Sequence, residues 1–238
     1  MNQYLSHVCI ECGRMFTEHV GFCTFCFRSG TVIARHHRTS SRSDGIPEEL
    51  GADELARSNW DHVPLSAYPD LRLGRGSMVT VHGGPGAGKS TFGLRAADSV
   101  VGDAVVIAAE MGLGPAMAEM CGRLNIRRPG VRIVARASVD YVTSLLESRR
   151  PSVLVIDSVQ AAGSLEPQDV RHWLTVTPLQ CAICVQQVNK AGEPAGVNAW
   201  SHDADVCIRV DDGIWSVTKS RFQPLPVSGP VVPKEEAA

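Results

Sequence analysis

VTVHGGPGAGKSTFGLRAA, residues 79–97, joins an apolar run, a glycine-rich turn and a stretch with helical spacing. Within it Gly83, Gly88, Lys89 and Ser90 stand as G-x4-G-K-S. Glycines let backbone N–H groups turn toward an anion, and the N-terminus of the following helix adds favourable partial charge. The motif requires a strand before it and a helix after it, and the sequence supplies both. Gly83, Gly84, Pro85, Gly86, Ala87, Gly88, Lys89, Ser90 and Thr91 are therefore expected to cradle the phosphates of ATP. Lys89 is expected to reach the β- and γ-phosphates, and the Ser90 hydroxyl to ligate Mg²⁺.

Such a cradle needs a carboxylate beside the metal. PSVLVIDSVQ, residues 151–160, carries Asp157 at the end of an apolar strand, the edge where ligands of open α/β sheets collect. There it can hold Mg²⁺ through the water shell of the ion. AVVIAAEMG ends its strand with Glu110, a position suited to a general base that activates water against the γ-phosphate. CAICVQQV ends with Gln187, whose amide can donate to phosphate and shift with it.

Outward from these motifs the chain alternates short apolar runs with helical stretches. Strands are expected over 78–82, 104–109, 131–134, 153–156, 182–187, 207–210 and 215–218, and helices over 89–100, 114–124, 139–148 and 168–175. This alternation implies an α/β fold with a mostly parallel sheet covered on both faces. RVDDGIWSV places Asp-Asp-Gly between two apolar runs, the mark of a closing hairpin. Residues 63–223 are assigned to this domain and 33–62 to a polar linker with a short helix after Pro47. Residues 224–238, rich in proline, are expected to form a flexible tail.

With 238 residues and a net charge of −2, the chain is not basic overall, so nucleic-acid contact must come from local loops or patches. No apolar run approaches a membrane span, and the N-terminus lacks a secretion pattern, so a cytoplasmic protein without membrane contact is expected. Eight cysteines fall into two groups. Cys9, Cys12, Cys23 and Cys26 form C-x2-C-x10-C-x2-C within residues 1–32, a spacing that suits tetrahedral Zn²⁺. A module this small needs the metal for its folding free energy. Cys181 and Cys184 form a further CxxC inside an apolar strand. Residues three apart there face opposite sides of the sheet, so buried structural thiols are expected rather than a redox pair.

These residues resemble a known family. The phosphate loop, Glu110, Asp157 and Gln187 follow the order of RecA-like ATPases. HVCIECGRMFTEHVGFCTFCFRSGTVI is similar to the zinc ribbon of the RadA (Sms) DNA-repair ATPases. VLVIDSVQ, VNKAGEPAG, the SHDAD segment with His202 and Asp205, and TKSRFQ are similar to later motifs of that family. The likeness covers most of residues 7–223.

The resemblance implies a RecA-like P-loop core behind a zinc ribbon, and a DNA-dependent ATPase that works as a ring motor or helicase on single-stranded DNA in recombination and repair. Lys219 and Arg221, alternating along the last strand, then reach ATP held by a neighbouring subunit, which implies a homohexameric ring. Loop residues Lys190 and Gly192, with Arg171 from a second loop, contact DNA. Recombinase or replication proteins are further expected partners. Departures from the family pattern are a single acidic residue, Glu110, followed by Met111, and Gln187 in place of a sensor histidine. The chain also ends where a Lon-protease-like domain is expected to begin. Alternatives left open are an ATP- and DNA-binding adaptor without turnover and a DnaB-type helicase relative.

Overall fold

The computed structural model describes residues 62–188 and 199–232 and, before them, the backbone of three strands. Those strands belong to a separate compact unit, Met1–Asn59. Strand β1 (Tyr4–Cys9) lies between β2 (Met15–Phe16) and β3 (Val32–His37), antiparallel to both. Arg35, His36 and His37 extend β3, because their backbone pairs with Ser6, Leu5 and Tyr4. Cys12, Cys23, Cys26, the side chain of Cys9 and the helix expected after Pro47 lie outside the described residues.

The second unit, Trp60–Ala238, is built on an eight-stranded sheet. Its elements are β6 (Ser77–Gly83), α1 (Lys89–Ser99), β7 (Ala104–Ala108), α2 (Pro115–Arg123), β8 (Val131–Val134), α3 (Val139–Arg149), β9 (Val153–Asp157), α4 (Val159–Ala162), α5 (Pro167–Val176), β10 (Cys181–Gln187), α6 (Ala199–Asp203), β11 (Val206–Asp211), β12 (Ile214–Ser220) and β13 (Ser228–Pro230). The strand order is β13-β12-β11-β6-β10-β9-β7-β8. Strands β8, β7, β9, β10, β6 and β11 run parallel, and β12 and β13 add antiparallel. A two-stranded ribbon, β4 (His62–Val63) with β5 (Leu73–Gly74), precedes the sheet. All seven strands expected in this domain form, each within two residues of its predicted ends.

The central strands β7, β9 and β10 are buried along nearly their whole length because both faces are covered. On β9, Val153 and Val155 join the core under α1, while Leu154 and Ile156 join the core under α3, α4 and α5. Cys181 and Cys184 divide between the same two cores, as expected. Burial pushes the Cys181 thiol up to about 12 and the Cys184 thiol higher still. Neither supplies thiolate for redox chemistry. Among the described residues, no helix is long and apolar enough to cross a membrane.

Residues 224–232, the described part of the expected flexible tail, differ from that expectation. Ser228–Pro230 pairs with β12 as the edge strand β13, and Val231 is buried. An edge position tolerates proline because one side of the strand needs no donor. The strand also covers Trp215: a Cβ on Gly229 would stand 3.1 Å from that indole ring. The β11–β12 hairpin closes as expected through Asp212 and Gly213, both at positive φ, as a two-residue primed turn requires.

An aromatic cluster fixes α1 over the sheet. Tyr68 stacks on Phe92 with ring centroids 4.3 Å apart, and Trp215 meets Tyr68 edge-on at 5.8 Å. The Tyr68 hydroxyl donates to the Val231 carbonyl at 3.2 Å. Phe92 is completely buried two residues after Ser90, so its packing positions the helix that opens on the phosphate loop. Phe92→Ala should therefore cost about 3–5 kcal/mol of unfolding free energy, and Phe92→Leu distinctly less. Urea unfolding of both variants checks this, and a loss below ~1 kcal/mol for the alanine would show that the cluster does not anchor α1.

Candidate functional site

The C-terminal ends of the parallel strands gather the expected ATP residues. At the end of β6, Gly83 is squeezed against β11: a Cβ there would stand 2.0 Å from the Val210 carbonyl oxygen. No other residue fits without moving one strand. Gly88, at the N-terminus of α1, has φ 105°, in the left-handed region that glycine adopts without a steric cost. These two constraints make the loop turn sharply from strand to helix. Helix α1 leaves its first N–H groups directed at the loop.

Lys89 folds back over that loop, donating from Nζ to the Gly84 carbonyl at 2.7 Å. Burial lowers its pKa, an effect opposed by the charges of Asp157 and Glu110. Asp157 ends β9 and is buried. Burial raises its pKa and Glu110 raises it further, while a hydrogen bond with Ser90 and the charge of Lys89 act the other way. A buried carboxylate bonded to a hydroxyl is a hard-oxygen donor set of the type Mg²⁺ takes together with phosphate oxygens. The residues present thus fit that ion.

Glu110 follows β7, and its N–H donates to the Asp157 carbonyl at 3.2 Å. Its carboxylate is exposed and accepts from Gln187 Nε2 at 3.0 Å. The expected base and the expected sensor are therefore in direct contact. Gln160, on α4, holds the Gln187 backbone N–H through its side-chain oxygen at 3.2 Å. Helix α4 is capped by the Ser158 hydroxyl, which accepts from the Ala161 N–H. This role of Gln160 was not recognised from sequence, although it ends the DSVQ run. The buried Gln186, whose side-chain oxygen accepts from the Ser201 hydroxyl at 3.2 Å, was missed altogether.

Lys219 and Arg221 stand elsewhere. Arg221 N–H donates to the carbonyl of Asp205, whose own N–H donates to Met78 at the start of β6. That places Arg221 level with Met78, about 17 Å along the strand from Gly83. Lys219 Nζ donates to the carbonyls of Ser201 and His202 at 3.1 and 2.9 Å. The Asp205 carboxylate, 8% exposed, accepts from Arg221 at 3.1 Å, from Arg171 at 2.7 Å and from the Met78 N–H at 2.9 Å. Arg171 also donates to the Asp203 carbonyl. Arg171 thus sits in an ion-pair hub that joins α5, β6 and β12. The other two expected DNA residues, Lys190 and Gly192, lie outside the described residues. Among the described residues, no cluster of three or more His, Cys, Asp or Glu could hold a metal by itself.

The electrostatics carry a stability consequence. Because Asp157 has a raised pKa in the folded chain, its ionised form opposes folding. The stability linked to its protonated form is complete below the ordinary carboxylate range and is lost as pH rises through the raised value. In the absence of nucleotide and Mg²⁺, Asp157→Asn should therefore raise Tm at neutral pH, with the gain vanishing in acid. Thermal melts of both proteins from about pH 3 to about pH 8, a range that starts below the ordinary Asp value of about 3.9, test this. A Tm difference independent of pH would refute it.

No family model matches the chain. Curated relatives do: the DNA repair protein RadA of Aquifex aeolicus is 26% identical over 91% of this chain, and that of Escherichia coli K12 is 24% identical over 92%. The chain spans about half the length of these relatives, 55% and 53% respectively. Among solved structures, a KaiC-like protein of the archaeon Pyrococcus horikoshii matches with a TM-score of 0.54 at 15% identity. The match covers 72% of this chain and 94% of that one. That likeness shows a shared RecA-type fold. Together with the RadA alignments, which run through 91–92% of the chain for these two relatives, it makes the chain similar to RadA proteins on a RecA-type fold.

Proposed function

We propose that the chain is a DNA-dependent ATPase of the RadA type, working as a ring-shaped motor or helicase on single-stranded DNA during recombination and repair. The observation that carries this reading is the meeting of Lys89, Ser90, Asp157, Glu110 and Gln187 at one edge of the sheet. The Glu110–Gln187 hydrogen bond belongs to the same constellation.

In this reading, Gly83–Ser90 bind the phosphates of ATP, and Ser90 with Asp157 would hold Mg²⁺. When bound, the ion neutralises charge on the β- and γ-phosphate oxygens. Glu110 takes a proton from the attacking water, which displaces ADP from the γ-phosphoryl group. Lys89 stabilises the charge gathering on the transferred oxygens. Gln187 donates to Glu110 and lies two residues before the undescribed segment that begins at Asn189. This path couples DNA contact by Lys190 and Gly192 to the positioning of the base.

Lys219 and Arg221 lie too far along the sheet to serve their own phosphate loop, so they act on a neighbour's ATP in a homohexameric ring. Arg221 remains 60% exposed while paired with Asp205, so its side chain is accessible to another subunit. Cys9, Cys12, Cys23 and Cys26 bind Zn²⁺, a reading carried by their spacing. Recombinase or replication proteins are the partners that fit a repair role.

Glu110→Gln should leave ATP binding intact while lowering DNA-stimulated turnover by about 10²–10⁴-fold. Lys89→Ala should instead weaken nucleotide binding by about 10–100-fold, the value of a charge-assisted hydrogen bond. Steady-state hydrolysis with and without single-stranded DNA, beside equilibrium binding of a fluorescent ATP analogue, measures both. Parent protein that binds ATP and DNA yet shows no turnover would replace the motor by an adaptor.

A further inference from the structure

The opposite end of the sheet, where the parallel strands begin, carries a second feature. Between Cys121 and Arg132 the chain has four arginines and no acidic residue, although its net charge is −2. Arg123 closes α2, Arg127 and Arg128 lie in the turn that follows, and Arg132 is the second residue of β8. Arg149 and Arg150 close α3, three residues before β9.

Strand pairing brings these segments together. Ala104 of β7 is in register with both Val131 of β8 and Val153 of β9. The Ala104 N–H donates to the Gly130 carbonyl, and the Ser152 N–H to the Asp103 carbonyl. The two arginine segments therefore flank one three-strand end, with adjacent strands about 4.8 Å apart.

Arg123, Arg127, Arg132, Arg149 and Arg150 are all exposed, and among the described residues none of them forms an ion pair. Arg128 differs. It donates to the carbonyls of Gly102 and Ala97 at 2.5 and 2.6 Å, closing the C-terminus of α1, and stands 3.9 Å from Asp98. Acids near these arginines include the half-buried Asp98 and the exposed Asp103, Glu147 and Glu119, the last of which stands four residues before Arg123 on α2. A cavity of about 520 Å³ adjoins the surface, lined among others by Arg95, Arg123, Ser99 and Asn125.

Arg123 and Arg149 sit in the last turns of α2 and α3, where a cation is favourable, but among the described residues no carboxylate pairs with any of the five. Their planar forks match the geometry of phosphate oxygens. We propose that this end of the domain is a second nucleic-acid contact. It grips the phosphodiester backbone of DNA with Arg123, Arg127, Arg132, Arg149 and Arg150. The proposal rests on the reading of DNA as partner, and adds a contact on the far side of the sheet from the ATP residues. Since the contacts are to phosphate, binding is independent of base sequence and strongly dependent on salt.

The test uses the full chain with Arg127, Arg132 and Arg150 replaced together by glutamine, and the same three replaced by lysine as a charge-retaining control. Anisotropy of labelled single-stranded and duplex oligonucleotides is followed over a salt series, beside a Lys190→Ala variant. Three lost phosphate contacts should reduce the slope of log K against log salt by about two to three and weaken binding at least ~10-fold. The lysine variant should largely retain binding, and affinity for a fluorescent ATP analogue should be unchanged in all variants. The two oligonucleotides show which form of DNA is held. An unchanged slope and affinity in the glutamine variant, with binding lost in Lys190→Ala, would overturn the second contact and leave DNA as partner. Absence of DNA binding by the parent chain would overturn both.

Discussion

The arrangement of the proposed ATP site depends on one strand, β10, held in register between β6 and β9. Gln187 pairs with Gly83, and Val185 pairs with Asp157. That double pairing sets the lateral distance between the phosphate loop and the carboxylate, and it carries Gln187 to the same edge. Parallel pairing is what makes this possible, since every strand then delivers its C-terminal residue to one side. The apolar run CAICV lets β10 be buried on both faces and so occupy a central position.

The same edge concentrates electrostatic cost. Lys89 and Asp157 are both pushed toward their neutral forms by burial, and each is only partly compensated by the other. A site that binds a charged nucleotide gains from this, because groups held out of water interact more strongly with what enters. Some folding stability is given up for that readiness. Tyr68, Phe92 and Trp215 supply the apolar packing that keeps α1 in place over the site.

At the other end of the sheet the balance reverses. Asp205 is buried as well, but two arginines and a backbone N–H satisfy it, so its charge organises structure rather than remaining available. Through it, the start of β6, helix α5 and the end of β12 are tied to the segment that follows α6. Any displacement of α6 must therefore be felt by Lys219, which donates to α6 carbonyls, and by Arg221, which bonds to Asp205 just after it. The arginines around β8 contrast with this hub, since among the described residues they pair with no carboxylate.

The local features were legible because they obey short-range rules. Gly-x4-Gly-Lys-Ser between an apolar run and a helical run, Asp-Asp-Gly between two strands, and two-sided apolar strands all fix backbone conformation within a few residues. The apparent tail was misjudged because proline density argues against regular structure locally, whereas the exposed edge of β12 and the ring of Trp215 supply long-range reasons for β13 to form. Gln160, Gln186 and the Asp205 hub were hidden for the same reason: a polar side chain in a sequence does not name its partner. By itself the sequence determined most of the strands and helices of the second unit, the two-faced sheet and the glycine-rich strand-to-helix turn, since each follows from spacing or backbone chemistry. Tertiary structure decided which side chains meet, with Gln187 on Glu110, Arg171 and Arg221 on Asp205 and the arginines of α2, β8 and α3 at one end, because strand order is set by packing between distant segments.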